Sequence, residues 1–197
     1  MSVVLITGSC GLVGSESADF FSKKGFDIAG IDNNLRQFFF GKDGSTIWQK
    51  NKLIKTNKKY KHFNTDIRNY NGLEKIFKNF KKKIKLIIHC AAQPSHDYGK
   101  KFPVLDFNVN ATGTLNLLEL TKIYCPNAVF IFMSTNKVYG DNPNNLNIIE
   151  KSKRWELKKS DKYYKGINEN FSIDNCTHSF FGASKTYADL IVQEYGR

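Results

Sequence analysis

The chain has 197 residues, of which 41% are hydrophobic and 24% charged. That length supports a sizeable core, and the composition excludes a disordered or fibrous chain. Thirty Lys and Arg against eighteen Asp and Glu leave a formal charge of +12, which raises nucleic acid as a partner without a recognisable motif to support it.

Val3 to Ile6 is a short, β-branched apolar run ending at a glycine loop, the pattern of a buried strand. Leu12, Val13, Ala18 and Phe21 recur at helical spacing, so a helix is expected from Leu12 to Lys24, stopped by Gly25. Asp27 to Ile31 reads as a second strand ending at Asp32. Strand, glycine turn, helix and strand within about thirty residues make a βαβ unit, which implies a parallel sheet. Residues 33 to 59 are polar and give no clear element. Beyond them the spacing predicts a strand at Lys61 to Asn64, a helix at Gly72 to Phe80 and a strand at Lys85 to His89. A long helix from Val104 to Tyr124, a buried strand from Ala128 to Met133 and a last helix from Ser184 to Tyr195 follow. Residues 142 to 178 read as a long irregular, site-covering loop. The alternation argues for an α/β, Rossmann-type, doubly wound parallel sheet, with residues 1–197 as one dinucleotide-binding domain.

Residues 7 to 14 read Thr-Gly-Ser-Cys-Gly-Leu-Val-Gly, with glycines at 8, 11 and 14. Gly8 permits the tight turn, Gly11 lets backbone approach a pyrophosphate, and Gly14 lets the helix pack closely. The helix N-terminus then offers unpaired N–H groups to the anion. Asp32 is placed to accept hydrogen bonds from ribose hydroxyls and to repel an extra phosphate, which favours NAD over NADP. Arg36, four residues on, pulls the other way.

Four further segments, with the glycine loop, resemble the extended short-chain dehydrogenase/reductases of the NAD-dependent epimerase/dehydratase group. They are Asp66-Ile67-Arg68, His89-Cys90-Ala91-Ala92-Gln93, Asn108-Val109-Asn110 with the helix after it, and Ser134-Thr135-Asn136-Lys137-Val138-Tyr139-Gly140-Asp141. The resemblance covers essentially the whole chain and implies NAD as cofactor. It places Gly8, Cys10, Gly11, Leu12, Val13, Gly14, Asp32, Asn33, Asn34, Arg36, Asp66, Ile67, Ala91, Ala92, Gln93, Asn110, Ser134, Thr135 and Lys185 around that cofactor. It further implies a nucleotide-sugar substrate, with a CDP-hexose as one option, and a homodimer built on two long helices per subunit.

In such a family a tyrosinate takes the proton of a sugar hydroxyl while hydride moves to the nicotinamide. A lysine four residues on holds the ribose and lowers the tyrosine pKa, and a Ser or Thr hydroxyl binds the reacting oxygen. Here Thr135 and Lys185 match, but the tyrosine position is Phe181, which has no proton to exchange. Either another group serves, such as Tyr163, Tyr164 or His178, or the protein is a non-catalytic or weakly active NAD-binding relative. A substitution introduced to trap a complex is a further option. Family members also continue beyond the last helix into a substrate-contacting region, so this chain reads as a truncated member with an open pocket and an uncovered sheet edge.

Cys10, Cys90, Cys125 and Cys176 form no C-x-x-C pair and have no histidines at zinc spacing, so reduced, mostly buried thiols and no metal are expected. Cys10 reads as a space filler in the loop. The lysines gather in Lys50–Lys61, Lys78–Lys85 and Lys151–Lys165, which read as solvated faces rather than a nucleic-acid surface. A basic surface could still steer anionic sugar nucleotides. The opening apolar run is too short for a leader or a membrane span, and a cytoplasmic location is the expectation.

Overall fold

Side-chain alternation decides which way each strand faces in the computed structural model, which describes residues 2–197. In β1 (Val3–Thr7) Val3 and Leu5 join one apolar cluster, and Val4 and Ile6 join a second on the opposite face. Every residue of β1 is buried, the signature of a central strand covered on both faces. It pairs in parallel with β2 (Asp27–Ile31) and β4 (Ile84–His89); β3 (Tyr60–Phe63) and β5 (Val129–Phe132) flank them. The order is β3-β2-β1-β4-β5.

Helices α1 (Leu12–Lys23) and α3 (Ile47–Thr56) cover one face through Ala18 and Leu53. The other face is covered by α4 (Tyr70–Phe80) and α7 (Gly113–Tyr124), through Leu73, Ile76, Phe77, Leu117 and Leu120. The chain reverses its direction of travel across the sheet between β1 and β4. A crevice therefore opens at their carboxyl ends, where Thr7 is registered with His89.

The structure corrects several sequence expectations. Residues 33 to 59 are not featureless: they carry a short α2 (Arg36–Phe40) and α3. Their amphipathic signal is weak because few side chains are buried, among them Phe39, Gln49 and Leu53. A helix at His96–Lys101, α5, escaped notice because it is short and polar. The Val104–Tyr124 helix is three pieces: α6 (Pro103–Phe107), a wider π turn at Asn108–Thr112, and α7. The last helix, α8, begins earlier, at Phe180, capped by Ser179 whose hydroxyl accepts from the Gly182 N–H at 3.0 Å.

The β5 strand is not buried: Val129 and Ile131 are exposed on the α1 side of the sheet, while Phe130 packs against the opposite cluster. It is the sheet's edge. The 142–178 segment is mostly loop but contains an antiparallel hairpin, β6 (Ile148–Glu150) and β7 (Trp155–Leu157). No helix among the described residues is long and apolar enough to cross a membrane, and no group of side chains among them could hold a metal ion.

Phe77 sits fully buried in the larger cluster. Phe77→Ala should cost about 3–5 kcal/mol of unfolding free energy in urea titrations; a loss below about 1 kcal/mol would contradict this packing.

Candidate functional site

Two glycines make the loop after β1 possible. Gly8 has φ +65°, and a Cβ there would lie 2.7 Å from the Ala91 backbone nitrogen. At Gly14 a Cβ would sit 2.1 Å from the Gly8 carbonyl oxygen, so α1 can approach the loop only without a side chain. Gly11 is the N-cap of α1 and supplies no side-chain acceptor, which leaves the first N–H groups of the helix free for an anion. Leu12 is 83% exposed and Val13 half exposed, so their part is played by backbone rather than by packing. Cys10 is buried against the Tyr60 hydroxyl, its Sγ 3.7 Å away. Burial, reinforced by the Asp32 charge, pushes its thiol pKa up, and it fills space as expected.

The Asp32 carboxylate organises the rim. Its Oδ2 accepts from the Cys10 N–H at 3.0 Å, and its Oδ1 from the Asn34 N–H at 2.8 Å and the Thr46 hydroxyl at 3.4 Å. Asn34 holds a left-handed backbone, φ +58°. Asn33 donates from Nδ2 to Asp66 at 2.8 Å, and Arg68 grips Asp66 from Nε and Nη2 at 2.9 and 2.7 Å. Burial works to raise the Asp66 pKa, but the Arg68 and Asn33 hydrogen bonds outweigh it and hold the carboxyl low.

A cavity of about 150 Å³ gathers much of this set: Gly8, Asp32, Asn33, Arg36, Asp66, Ile67, Ala91 and Ala92 all line it. Thr46, Leu35, Thr65, Cys90, Pro94 and Val109 line it too and were not singled out from sequence. Arg36 also lies over the Phe40 ring, 5.0 Å from its centroid.

Below the cavity a chain of hydrogen bonds fixes one histidine tautomer. The Thr114 hydroxyl donates to the Asn110 carbonyl at 2.6 Å, so it must accept from His89 Nε2–H at 2.9 Å. His89 Nδ1 is then bare and accepts from the Thr7 hydroxyl at 2.6 Å, whose oxygen accepts from the Ala91 N–H at 3.2 Å. Burial, with help from Lys185, pushes the His89 pKa down to about 3, so it stays neutral.

A second buried network joins the loop after β4 to α8. The Asn110 side chain accepts from the Gln93 N–H at 2.9 Å and donates to Ser184 Oγ at 3.0 Å. Asp106 accepts from Gln93 Nε2 at 2.7 Å and from the Ser184 hydroxyl. Burial raises the Asp106 pKa. Gln93 and Asn110 thus stand behind the cavity instead of lining it. Asp106 was missed by sequence reasoning, although it precedes Asn110 by one helical turn.

At the far side, Lys185 is 4% exposed. Its Nζ donates to the Met133 carbonyl at 2.7 Å and lies 4.0 Å above the Phe132 ring. Burial holds its pKa down to about 8. Ser134 donates to Asp189, one turn beyond Lys185 on α8. Thr135, half-buried, accepts from the Lys137 N–H at 3.3 Å. Phe181 abuts α5: a Cβ at Gly99 would be 3.2 Å from the Phe181 Cβ and 3.0 Å from Asp106 Oδ1. Tyr163 packs edge-on against Phe171, and Tyr164 is exposed. His178 Nε2 donates to the Val138 carbonyl at 2.8 Å.

A parallel sheet with this strand order, a glycine turn at the switch point and an acidic residue after β2 defines a Rossmann-type nucleotide-binding fold. Residues 5–155 match the family model described as GDP-mannose 4,6 dehydratase, and the chain belongs to that family, within the NAD-dependent epimerase/dehydratase group. It is 30% identical to CDP-paratose 2-epimerase of Salmonella typhi over 198 residues, covering 98% of this chain and 53% of the relative. A putative UDP-glucose 4-epimerase of Methanocaldococcus jannaschii is 32% identical over 75% of this chain and 43% of its own length. Among solved structures, UDP-glucose 4-epimerase of Thermus thermophilus, in complex with NAD, superimposes with a TM-score of 0.70 at 26% identity, over 98% of this chain and 50% of its own. The UDP-Glc/GlcNAc 4-epimerase of Campylobacter jejuni gives 0.73 at 21% identity, over 100% and 49%. The chain spans about half the length of the relatives it matches.

Lys185 also makes a stability prediction. In the unfolded chain its amine titrates near 10.5, and in the fold near 8. The unfolded state therefore binds more protons between those values, and stability rises with pH across that window. Below about pH 8 the full cost of the buried charge is present. Lys185→Met should melt above the parent protein at pH 7, with the gap closing by about pH 10. A parent that is the more heat-stable at pH 7 would count against the burial described.

Proposed function

We propose that residues 1–197 form the NAD-binding portion of a nucleotide-sugar epimerase or dehydratase that works by hydride transfer at a sugar carbon through a transient ketone. The observation that carries this is the single cavity at the switch point, which unites Gly8, Asp32, Asp66 and Ala91. In this reading the free N–H groups of α1 seat the pyrophosphate, Asp32 binds ribose hydroxyls, and Asp66 and Ile67 flank the adenine. When bound, NAD supplies the hydride acceptor and donor. Thr135 hydrogen-bonds the reacting oxygen, and Lys185 orients the nicotinamide ribose.

Within that class, the similarity to CDP-paratose 2-epimerase across 98% of the chain favours epimerisation of a CDP-hexose. The residues after Thr135 support the same choice. Eliminating water needs an acid for the leaving hydroxyl, and Asn136 and Lys137 offer no carboxylic acid. A second reading, a non-catalytic or weakly active NAD-binding relative, draws on Phe181 alone: a phenyl ring cannot exchange a proton.

Calorimetric titration tests the cofactor. NAD should bind at least about tenfold more tightly than NADP, because Asp32 repels the added phosphate, and Asp32→Asn should narrow that gap. Failure of both dinucleotides to bind would remove the oxidoreductase reading. Turnover then separates the two functional readings: NAD retained with no change in any sugar nucleotide supports the non-catalytic one.

A homodimer fits the exposed apolar face shared by α6 and α8. Val104 and Phe107 are exposed there, beside Tyr187 and Leu190, and the Phe107 and Tyr187 rings are 5.8 Å apart. Sedimentation should show a dimer that Leu190→Lys shifts towards monomer; a monomeric parent would dismiss the arrangement.

A further inference from the structure

Phe181 leaves the start of α8 without a group that can exchange a proton, yet one helical turn on stands a buried amine. The other candidates are engaged elsewhere. Tyr163 is packed on Phe171 with Lys162 4.7 Å above its ring, and Tyr164 is exposed. His178 is bound through Nε2 to Val138, its Nδ1 is 3.7 Å from the Cys176 thiol, and its ring lines a separate cavity with His96 and Lys100. We propose that the Lys185 amine itself exchanges the hydroxyl proton of the sugar, the part a phenol at position 181 would otherwise play. This rests on the NAD-dependent reading above.

The geometry suits the task. Lys185 is held from the Met133 carbonyl at 2.7 Å and over the Phe132 ring, two residues before the Thr135 hydroxyl in the chain. One of the amine's hydrogens is therefore directed to a fixed acceptor. Among the described residues no carboxylate lies within ion-pair distance of it. The groups around it are Asp189 on its own helix, Cys90 after β4 and Asp106 on α6, all of which favour the ammonium. His89 on β4 is neutral. Burial outweighs the three acids and brings the amine to about 8, where protonated and neutral forms coexist near physiological pH.

The step balances. The sugar O–H bond breaks and its proton passes to the neutral Nζ. The carbon–oxygen double bond forms as the C–H electron pair leaves as hydride to NAD. In the return, the ammonium gives its proton back to the oxygen while hydride returns to the opposite face, so no net oxidation remains. Phe181 then serves only as an apolar wall that keeps water from the amine.

The test uses the full chain labelled with 13Cε-lysine, saturated with NAD, and titrated by NMR from pH 6 to 11. The Lys185 signal, assigned by its loss in Lys185→Met, should show a midpoint near 8, and Asp189→Asn should move it lower. In parallel, mixing with CDP-glucose or UDP-glucose should give an absorbance rise at 340 nm whose rate follows the same midpoint. Lys185→Arg, which keeps the charge but cannot release a proton, should slow that rise at least about 100-fold while NAD affinity stays within about fivefold. A Lys185 midpoint above 10 with NAD bound, an Arg variant that keeps its rate, or no 340 nm signal in the parent overturns the proposal. Absence of NAD binding would instead overturn the reading on which it rests.

Discussion

Everything at the candidate site depends on how closely the Gly8 backbone approaches Ala91 across the ends of β1 and β4. A Cβ at Gly8 would be 2.7 Å from the Ala91 nitrogen, far inside van der Waals contact. Because Gly8 is bare, the loop folds flat against β4, and the Ala91 N–H reaches the Thr7 hydroxyl. That bond starts the polar chain through His89 and Thr114 to the Asn110 carbonyl. The same close approach brings α1 down so that Gly14 touches Gly8, and aims the free N–H groups of the helix at the crevice.

From the Asn110 carbonyl the constraint passes to α8. The π turn at Asn108–Thr112 leaves Asn110 buried and able to bond in three directions: its carbonyl to Thr114, its side chain to the Gln93 N–H and to Ser184. Ser184 is then shared with Asp106, and Lys185 is the next residue. A buried network of this kind is worthwhile only when every member is satisfied. Among the described residues no buried side-chain nitrogen or oxygen lacks a partner. The position of the Lys185 amine is therefore set from two sides, by this network through the helix and by the Met133 carbonyl at the end of β5.

The parts of this arrangement that follow from local rules were legible in the sequence. Val3–Thr7, Asp27–Ile31 and Ile84–His89 are fully or largely buried runs with strong apolar patterning, and the glycines at 8, 11 and 14 have steric reasons visible from their spacing. Asp32, Asp66, Ala91 and Ala92 converge on one cavity as their positions at strand ends suggested. What stayed hidden was decided by tertiary contact. Residues 36–56 fold into helices that bury few apolar side chains, so no period announced them. Thr46 reaches the cavity rim only because it bonds Asp32 and Asn34 across the loop. Asp106 reads as an ordinary helix-surface acid, and only the packing of α5, α6 and α8 around it shows that it is 1% exposed. Ile131 reads as core, and its exposure reflects a strand with no neighbour on its outer edge.

Charge placement also separates what the net value of +12 suggests from what it does. Lys78, Lys81, Lys82, Lys83 and Lys85 cluster with Ser2 around an open hollow at the amino end of β4. The candidate site lies at the carboxyl end of that strand, beyond His89. Six residues of strand at about 3.3 Å each put roughly 16–20 Å between them. The Debye length at physiological salt is about 8 Å, so this cluster is screened from the crevice. Nearer the cavity the charges are mixed: Arg36 lines it together with Asp32 and Asp66, and Asp66 is already paired with Arg68. Attraction of an anionic ligand is therefore left to the local dipoles, the N–H groups of α1 above all. Those act only within the first helical turn and depend on fit more than on net charge.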